Sequence, residues 1–389
     1  MDVKLRLKYM LEHLIQTSLR VFHIFPIRSG RILFSAFSGR QYSDSPRRIS
    51  DALLTSHPEY EQIWAFTEPE KYRFLEEKGI RVVKFKSLAY LFYAMTCNVF
   101  VDNVEFWSIL KFRPGQMILQ TWHGGGCYKR VGSDRLDVGD LELQHVVRKM
   151  AQNTLFVSSC REFTRNVIRG AFGYRGEVLE VGLPRNDELI RGSGADLGDL
   201  RQKLGIPEGN RVVLYAPTFR KSLTTDLYDV DMERLRDALS RRFGGEWTVV
   251  LRLHYYMSEQ ILSAARGDHV VDATAYPDMQ DLLRLADVLL TDYSSSLWDF
   301  SLMNKPAFVY ANDLADYCTE RNFYMPIEQW PFPKAVGNDS LEQEILGFRE
   351  DVYRQAVAQH HAALGSTETG EATGLVCERI DKHIKEGSK

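Results

Sequence analysis

At 389 residues the chain is long for a single hydrophobic core and suits two domains of ordinary size. Its 44% apolar and 26% charged residues are those of a soluble globular protein, and a net charge of −3 gives nucleic-acid binding no support. Five cysteines (Cys97, Cys127, Cys160, Cys318, Cys377) stand far apart, with no CxxC pair. That spacing argues against a disulfide framework or a zinc site and for a reducing compartment.

Residues 1–48 carry nine Lys/Arg against three Asp/Glu in a chain that is acidic overall. Leu7, Met10, Leu11, Leu14 and Phe22 recur at helical spacing, with Lys4, Lys8 and Arg20 among them. Two readings fit this segment, residues 1–26. It lies in an anionic membrane interface, held by apolar area and charge, or it is an amphipathic helix packed on its own domain or on a second copy of the chain. No stretch reaches the roughly 20 apolar residues that a spanning helix needs. The longest uncharged run, Ser87 to Val101, is too short. The start lacks the basic, apolar and small-residue sequence of a signal peptide, so the expected place is cytosolic and non-spanning.

Beyond residue 26, short β-branched and apolar runs alternate with helical patterns. Expected strands are 31–37, 62–66, 81–85, 99–102, 117–120, 155–158 and 178–181, then 212–216, 248–253, 270–272, 288–291 and 307–309. Helical patterns at 46–56, 70–78, 141–152, 232–242 and 278–286 separate many of them. Strand alternating with helix predicts parallel sheets wound on both faces. Two such series, 27–190 and 210–345, flank a polar, glycine-bearing linker at 191–209, and residues 346–389 form a helical C-terminal segment. Two doubly wound domains and a linker imply a cleft, with ligands beyond the carboxyl ends of the strands.

Four strand ends stand out. In QTWHGGGCYKRVG (120–132) His123 precedes Gly124, Gly125 and Gly126, and Lys129 and Arg130 follow. Glycines let backbone approach a ligand closely, and an imidazole beside such an anion site suits a general base. The plain alternative is a structural histidine on a tight turn. LYAPTFR (214–220) sets Thr218 and Arg220 after a strand, with Lys221 beyond. They are phosphate ligands or solvated loop groups. In VVLRLHYY (249–256) Arg252 and His254 share one strand face, to hold donor phosphates or protonate a leaving group, or as half-buried strand residues. After Leu285 a buried strand gives way to Thr291, Asp292 and Tyr293, then to Ser294, Ser295 and Ser296 ahead of a helical run. Three hydroxyls at a helix start suit a pyrophosphate, although one would suffice for capping. Asp292 has no companion at metal-ligand spacing, so an orienting role suits it better than magnesium binding. Arg321 adds a cation near an aromatic pair, or a plain surface charge.

Taken together, QTWHG, APTFR, LRLHY, ADVLLTDYSS, WDFSLMNKPAFVY and DLADYCTERNFY occur in one order over residues 27–360. The set resembles the CDP-glycerol glycerophosphotransferases that prime and polymerise teichoic acids and related capsules. The resemblance implies a GT-B fold of two Rossmann-like domains facing a cleft, with a helical membrane-binding element. It also implies a CDP-alditol donor, glycerol or ribitol, held by the second domain through Thr218, Arg220, Arg252, Asp292, Ser294, Ser295 and Arg321. The first domain would face a lipid-linked or polymeric glycan acceptor, near Gly124, Gly125, Lys129 and Asn186. The family's histidine of the WHG motif falls on His123 and its second, in RxHY, on His254. Two departures are visible. Many members read WHGTPLK where this chain has Gly125, Gly126, Cys127, Tyr128 and Lys129, and Asn322 stands where the last motif has glycine.

The expected reaction is attack of an acceptor hydroxyl on the donor's alditol phosphorus, with His123 taking the proton and CMP leaving. It needs no cofactor and no dedicated metal site, because no carboxylate pair at ligand spacing accompanies the phosphate-binding elements. The expected place is the cytoplasmic face of a bacterial inner membrane, as a peripheral protein. A GT-B glycosyltransferase using a nucleotide sugar is the competing enzyme, and a non-catalytic scaffold is the reading from another class.

Overall fold

The computed structural model describes residues 3–135, 139–192, 197–218, 229–253 and 269–387. The chain divides into two compact units. Unit 1 comprises Met1–His123, Val138–Asp187 and Thr367–Lys389, and unit 2 comprises Gly124–Asp137 and Glu188–Ser366.

Unit 1 is built on a seven-stranded sheet of order β3-β2-β1-β4-β5-β6-β7. Its strands are β1 (Arg28–Phe34), β2 (Glu61–Phe66), β3 (Arg81–Lys84), β4 (Cys97–Asp102), β5 (Met117–Gln120), β6 (Leu155–Ser158) and β7 (Glu177–Glu180). All neighbours are parallel. Side chains alternate along each strand, so every central strand feeds two cores. Ile32, Phe34, Trp64, Phe66, Val99 and Val101 enter one core. Leu33, Ile63, Ala65 and Phe100 enter the other, against helix α3 (Leu88–Thr96). Ser87 starts α3 by accepting the Tyr90 N–H at 3.2 Å. On the first face lie α2 (Asp44–Ser56) and the last helix, Ala372–Glu386, whose Val376, Ile380 and Ile384 are buried in the core of unit 1.

Unit 2 carries a six-stranded sheet of order β10-β9-β8-β11-β12-β13. Its strands are β8 (Arg211–Tyr215), β9 (Trp247–Leu251), β10 (Val270–Asp272), β11 (Val288–Thr291), β12 (Ala307–Tyr310) and β13 (Lys334–Ala335), again parallel. Asp231 and Asp278 cap the helices Met232–Phe243 and Met279–Leu285 through their side chains.

All twelve expected strands are present with ends shifted by a few residues, and the two-residue β13 had no apolar run to announce it. The predicted domain limits need three corrections. The loop Gly124–Asp137 belongs with unit 2, the C-terminal segment is shared between the units, and the expected linker contains a helix, Gly198–Lys203.

At the N-terminus, helix α1 (Val3–Ser18) leaves Leu7, Met10, Leu11 and Leu14 exposed by 57–63%. Its other face packs on unit 1, where Glu12 Oε1 accepts the Ser108 hydroxyl at 2.6 Å and Gln16 Nε2 donates to Ser108 O at 2.9 Å. One face is therefore packed on its own domain, as the second reading expects, and the other is unpartnered among the described residues. Phe22 is not on the exposed stripe, because it meets Phe92 of α3 edge-on at 6.4 Å. No helix among the described residues is long and apolar enough to cross a membrane.

Candidate active site

In a doubly wound sheet the crevice opens where the strand order reverses. In unit 1 that point lies between β1 and β4, and in unit 2 between β8 and β11. Several of the sequence-predicted residues follow strands that flank these points.

In unit 1 the chain leaves β5 through a strained turn. Trp122 has φ +55, a left-handed conformation that costs a bulky residue roughly 1–3 kcal/mol. The Gln120 side chain holds the turn, accepting the Trp122 N–H at 2.8 Å. His123 follows, with its ring 4.4 Å from that of Trp122 and edge-on to Phe37 at 5.9 Å. Its Nδ1 lies 2.8 Å from the carbonyl of Asn103, the residue after β4. A carbonyl oxygen only accepts, so Nδ1 carries the proton and Nε2 keeps its lone pair. The side chain is exposed to solvent. Even so, surrounding protein lowers its pKa by desolvation, and the nearby Arg185 guanidinium adds to this. The Asn103 carbonyl and Asp44 push the other way. The product is a neutral, oriented imidazole whose Nε2 has no hydrogen-bond partner among the described residues.

Three contributors to this corner escaped the sequence reading. Asn103 is fully buried, and its Oδ1 also accepts the Phe37 N–H at 2.8 Å, which ties the loops after β1 and β4 together. Phe37 sits in a run of positive φ through Gly39. Arg185 and Asp44 form a buried ion pair at 3.3 Å. The signal for Asn103 was positional, since it is the first residue after a strand at the switch point. Its contribution comes from a backbone carbonyl, which any residue supplies.

Asn186 is placed differently from its predicted acceptor-side role. It is fully buried and donates through Nδ2 to Glu368 Oε1 at 2.9 Å, while Glu368 Oε2 accepts the Leu183 N–H at 3.0 Å. It ties the C-terminal segment to unit 1 and has no surface to offer an acceptor.

In unit 2, Thr218 and Asp292 follow β8 and β11 and meet directly. Asp292 accepts the Thr218 N–H at 3.0 Å and its hydroxyl at 2.8 Å. The carboxylate thus fixes the loop after β8. Arg252 donates through Nη1 to the carbonyls of Ala273 and Tyr276, so that nitrogen holds the loop after β10. Ser294 acts as the cap for the helix Ser296–Ser301, accepting the Ser296 N–H at 3.2 Å. Ser295 has no side-chain cap bond and is half-buried, which leaves its hydroxyl open to a ligand. Arg321 is half-buried, and its guanidinium has no partner among the described residues. Arg220 and His254 lie outside the described residues.

The glycine loop after His123 also belongs here. Gly125 and Gly126 are pressed onto the buried Trp298 indole. A Cβ on Gly125 would sit 2.2 Å from Trp298 Cδ1, and one on Gly126 2.8 Å from Trp298 Cε3. Their closest approach is therefore to this chain's own tryptophan rather than to an acceptor, which corrects the reading of Gly125. Gly124 is half-buried at the entry to this loop. Further on, Lys129 forms an antiparallel bridge with Phe323, and the Tyr324 N–H donates to Tyr128 O at 2.8 Å. The glycine loop and the Arg321 motif are thus one structure, with the Lys129 ammonium 5.6 Å from the Tyr317 ring centre. Asn322 has φ +61, and its Oδ1 accepts the Phe323 N–H at 2.7 Å. Asparagine tolerates this conformation better than other side chains do, which explains how it stands where glycine was expected.

The family model described as CDP-glycerol:poly(glycerophosphate) glycerophosphotransferase matches residues 17–381. A teichoic acid glycerol-phosphate transferase of Staphylococcus aureus is 29% identical over 98% of this chain and 100% of its own length. A teichoic acid poly(glycerol phosphate) polymerase of Bacillus subtilis is also 29% identical, over 78% of this chain but only 42% of the longer relative. Among solved structures, a histidine-to-asparagine variant of the wall teichoic acid polymerase TagF soaked with CDPG superposes with a TM-score of 0.83, at 25% identity, over 100% of both chains. A UDP-N-acetylglucosamine 2-epimerase from Listeria monocytogenes shares the fold alone, with a TM-score of 0.54 at 13% identity over 91% of this chain and 96% of its own. Sequence, motif order and fold agree, and the chain belongs to the CDP-glycerol:poly(glycerophosphate) glycerophosphotransferase family.

Proposed function

We propose that this enzyme transfers glycerol phosphate from CDP-glycerol to a hydroxyl of a teichoic-acid-type acceptor, releasing CMP. The observation that carries the reading is His123, with Nδ1 tied to Asn103 O and Nε2 free on an exposed, neutral ring. In the reaction the acceptor oxygen bonds to the glycerol-bearing phosphorus as the bridging P–O bond to CMP breaks. The acceptor's proton passes to His123 Nε2, and the negative charge leaves on CMP. Arg321 and the Ser295 hydroxyl are assigned to the donor phosphates because their polar groups are open, and Thr218 with Asp292 shapes the loop beside them. His254 and Arg220 take donor-side roles on the strength of the family resemblance. No step calls for a dedicated metal site.

We also place the protein at a membrane surface on its cytoplasmic side, held by the exposed stripe of α1 and the basic residues around it. The stripe runs on through Val21 and Ile24, which are 61% and 75% exposed.

The test is incubation of the purified protein with CDP-glycerol, and separately CDP-ribitol, together with a lipid-linked acceptor extract. CMP release from CDP-glycerol, absent in His123→Ala, is the expected result. A nucleoside diphosphate and a glycosidic product from a nucleotide sugar would replace this reading with the glycosyltransferase one.

A further inference from the structure

The inner face of α1 closes over a cavity of about 360 Å³ against the loop at Ser108 and helix α4 (Asp140–Met150), wholly within unit 1. Its volume falls in the range of small-molecule sites. Five of its lining groups are basic: His13, Lys111, His145, Arg148 and Lys149. Lys149 is paired with Glu105. Lys111 and Arg148 are exposed and have no ion-pair partner among the described residues.

One acid lines the same cavity. Glu12 is only 8% exposed; its Oε1 takes the Ser108 hydroxyl, while its Oε2 is buried with no hydrogen bond among the described residues, 3.5 Å from His145 Nε2. A buried carboxylate oxygen left unbonded is costly and uncommon. The cavity thus pairs free cations with a vacant acceptor, a combination that suits a phosphate ester bearing hydroxyl groups. Neither a bare anion, which Glu12 repels, nor an apolar ligand suits it.

The neighbourhood points to the source. Leu7, Leu11 and Leu14 lie on the face of α1 opposite Glu12 and Gln16, so the helix has an apolar outer face and a polar cavity behind it. A lipid headgroup is the phosphate ester that arrives with acyl chains at such a helix.

We infer that the cavity behind α1 binds the phosphoglycerol headgroup of an anionic lipid, with the phosphate on Lys111 and Arg148 and a glycerol hydroxyl on Glu12 Oε2. This rests on the membrane-surface reading above and adds a specific headgroup site to it.

The experiment compares the unsubstituted protein with Lys111→Gln/Arg148→Gln and with Lys78→Gln/Lys203→Gln, which removes equal charge from exposed positions away from α1 and the cavity. Circular dichroism verifies that each variant is folded. Three probes are used: monomeric dihexanoyl phosphatidylglycerol, vesicles of phosphatidylglycerol or phosphatidylcholine, and sn-glycerol 3-phosphate as competitor. The expected result is saturable one-to-one binding of the short-chain lipid. It should weaken about fivefold for each cavity cation removed and stay unchanged in the control pair. Competition by sn-glycerol 3-phosphate would keep the phosphate-ester chemistry but move its source to solution, and lack of competition would keep the lipid. Equal loss in both variant pairs, or no saturable binding, would overturn the site. Tight binding to both vesicle types with no effect of either pair would do the same while sparing the membrane-surface reading. Short-chain lipid binding without vesicle binding would sink that surface reading and leave the site standing.

Discussion

His123 in unit 1 and the adjacent pair His360 and His361 in unit 2 share a residue type and a direction of pKa shift, yet they do opposite work. All three are held below the ordinary histidine value by desolvation. His123 is exposed and bonded at one nitrogen only. His360 is 7% exposed, stacks on Tyr128 and meets its hydroxyl at 2.9 Å through Nε2. His361 packs on Trp298, and its Nε2 lies 2.8 Å from Ser301 Oγ. Ser301 already donates to Trp298 O, so His361 must donate to it, which leaves Nδ1 as a buried acceptor with no partner among the described residues. A lowered pKa alone does not mark a base. An accessible lone pair does.

The sharpest way to break this comparison is to remove each histidine in turn. His123→Ala should cut turnover by about 10²–10⁴-fold while leaving CDP-glycerol affinity and melting temperature near wild type. His360→Ala should instead lower stability by about 1–3 kcal/mol, with donor affinity little changed. Calorimetric donor binding and thermal melts on both variants give the answer, and loss of donor binding in His123→Ala would remove its assignment as the base.

Acid titration separates the two regions differently. His360 falls to about 4 in the fold against 6.5 when free. The unfolded chain therefore binds a proton that the folded chain refuses, and stability is lost as pH falls from about 6.5 toward 4. The limit is roughly 3 kcal/mol for this group. For His123 the same direction means that kcat/KM rises with pH through a limb lying below 6.5 and is flat above it. A limb above 6.5 would contradict the neutral resting state.

A loss of similar size is expected at the loop that packs against this histidine pair's surroundings. Gly125→Ala sets a methyl 2.2 Å from Trp298 and should cost about 1–3 kcal/mol. A chemical denaturation curve unchanged by that substitution would show that Trp298 has room to move. The smallest effect belongs to Asn322→Gly, where backbone freedom replaces a tolerated left-handed asparagine. A stability change of less than about 1 kcal/mol, with turnover retained, is expected from denaturation and CMP-release assays.

Much of this protein was legible before folding was considered. Alternating apolar runs predicted both parallel sheets, because side-chain period and burial on two faces are local properties of a strand. His123, Thr218 and Asp292 were found because each follows a strand, and strand ends at switch points are where such sheets bind ligands. What the residue string could not carry was the partner of each group. Asn186 and Glu368 are 182 residues apart, so Asn186 read as a site residue until its buried amide was seen to be taken. Gly125 and Gly126 read as a ligand cradle because nothing local announces that the Trp298 indole fills the space above them. The tautomer of His123 depends on a carbonyl twenty positions earlier, brought close only by the sheet order. Local periodicity determined the elements and the candidates, while long-range contact decided which candidates remained free to act.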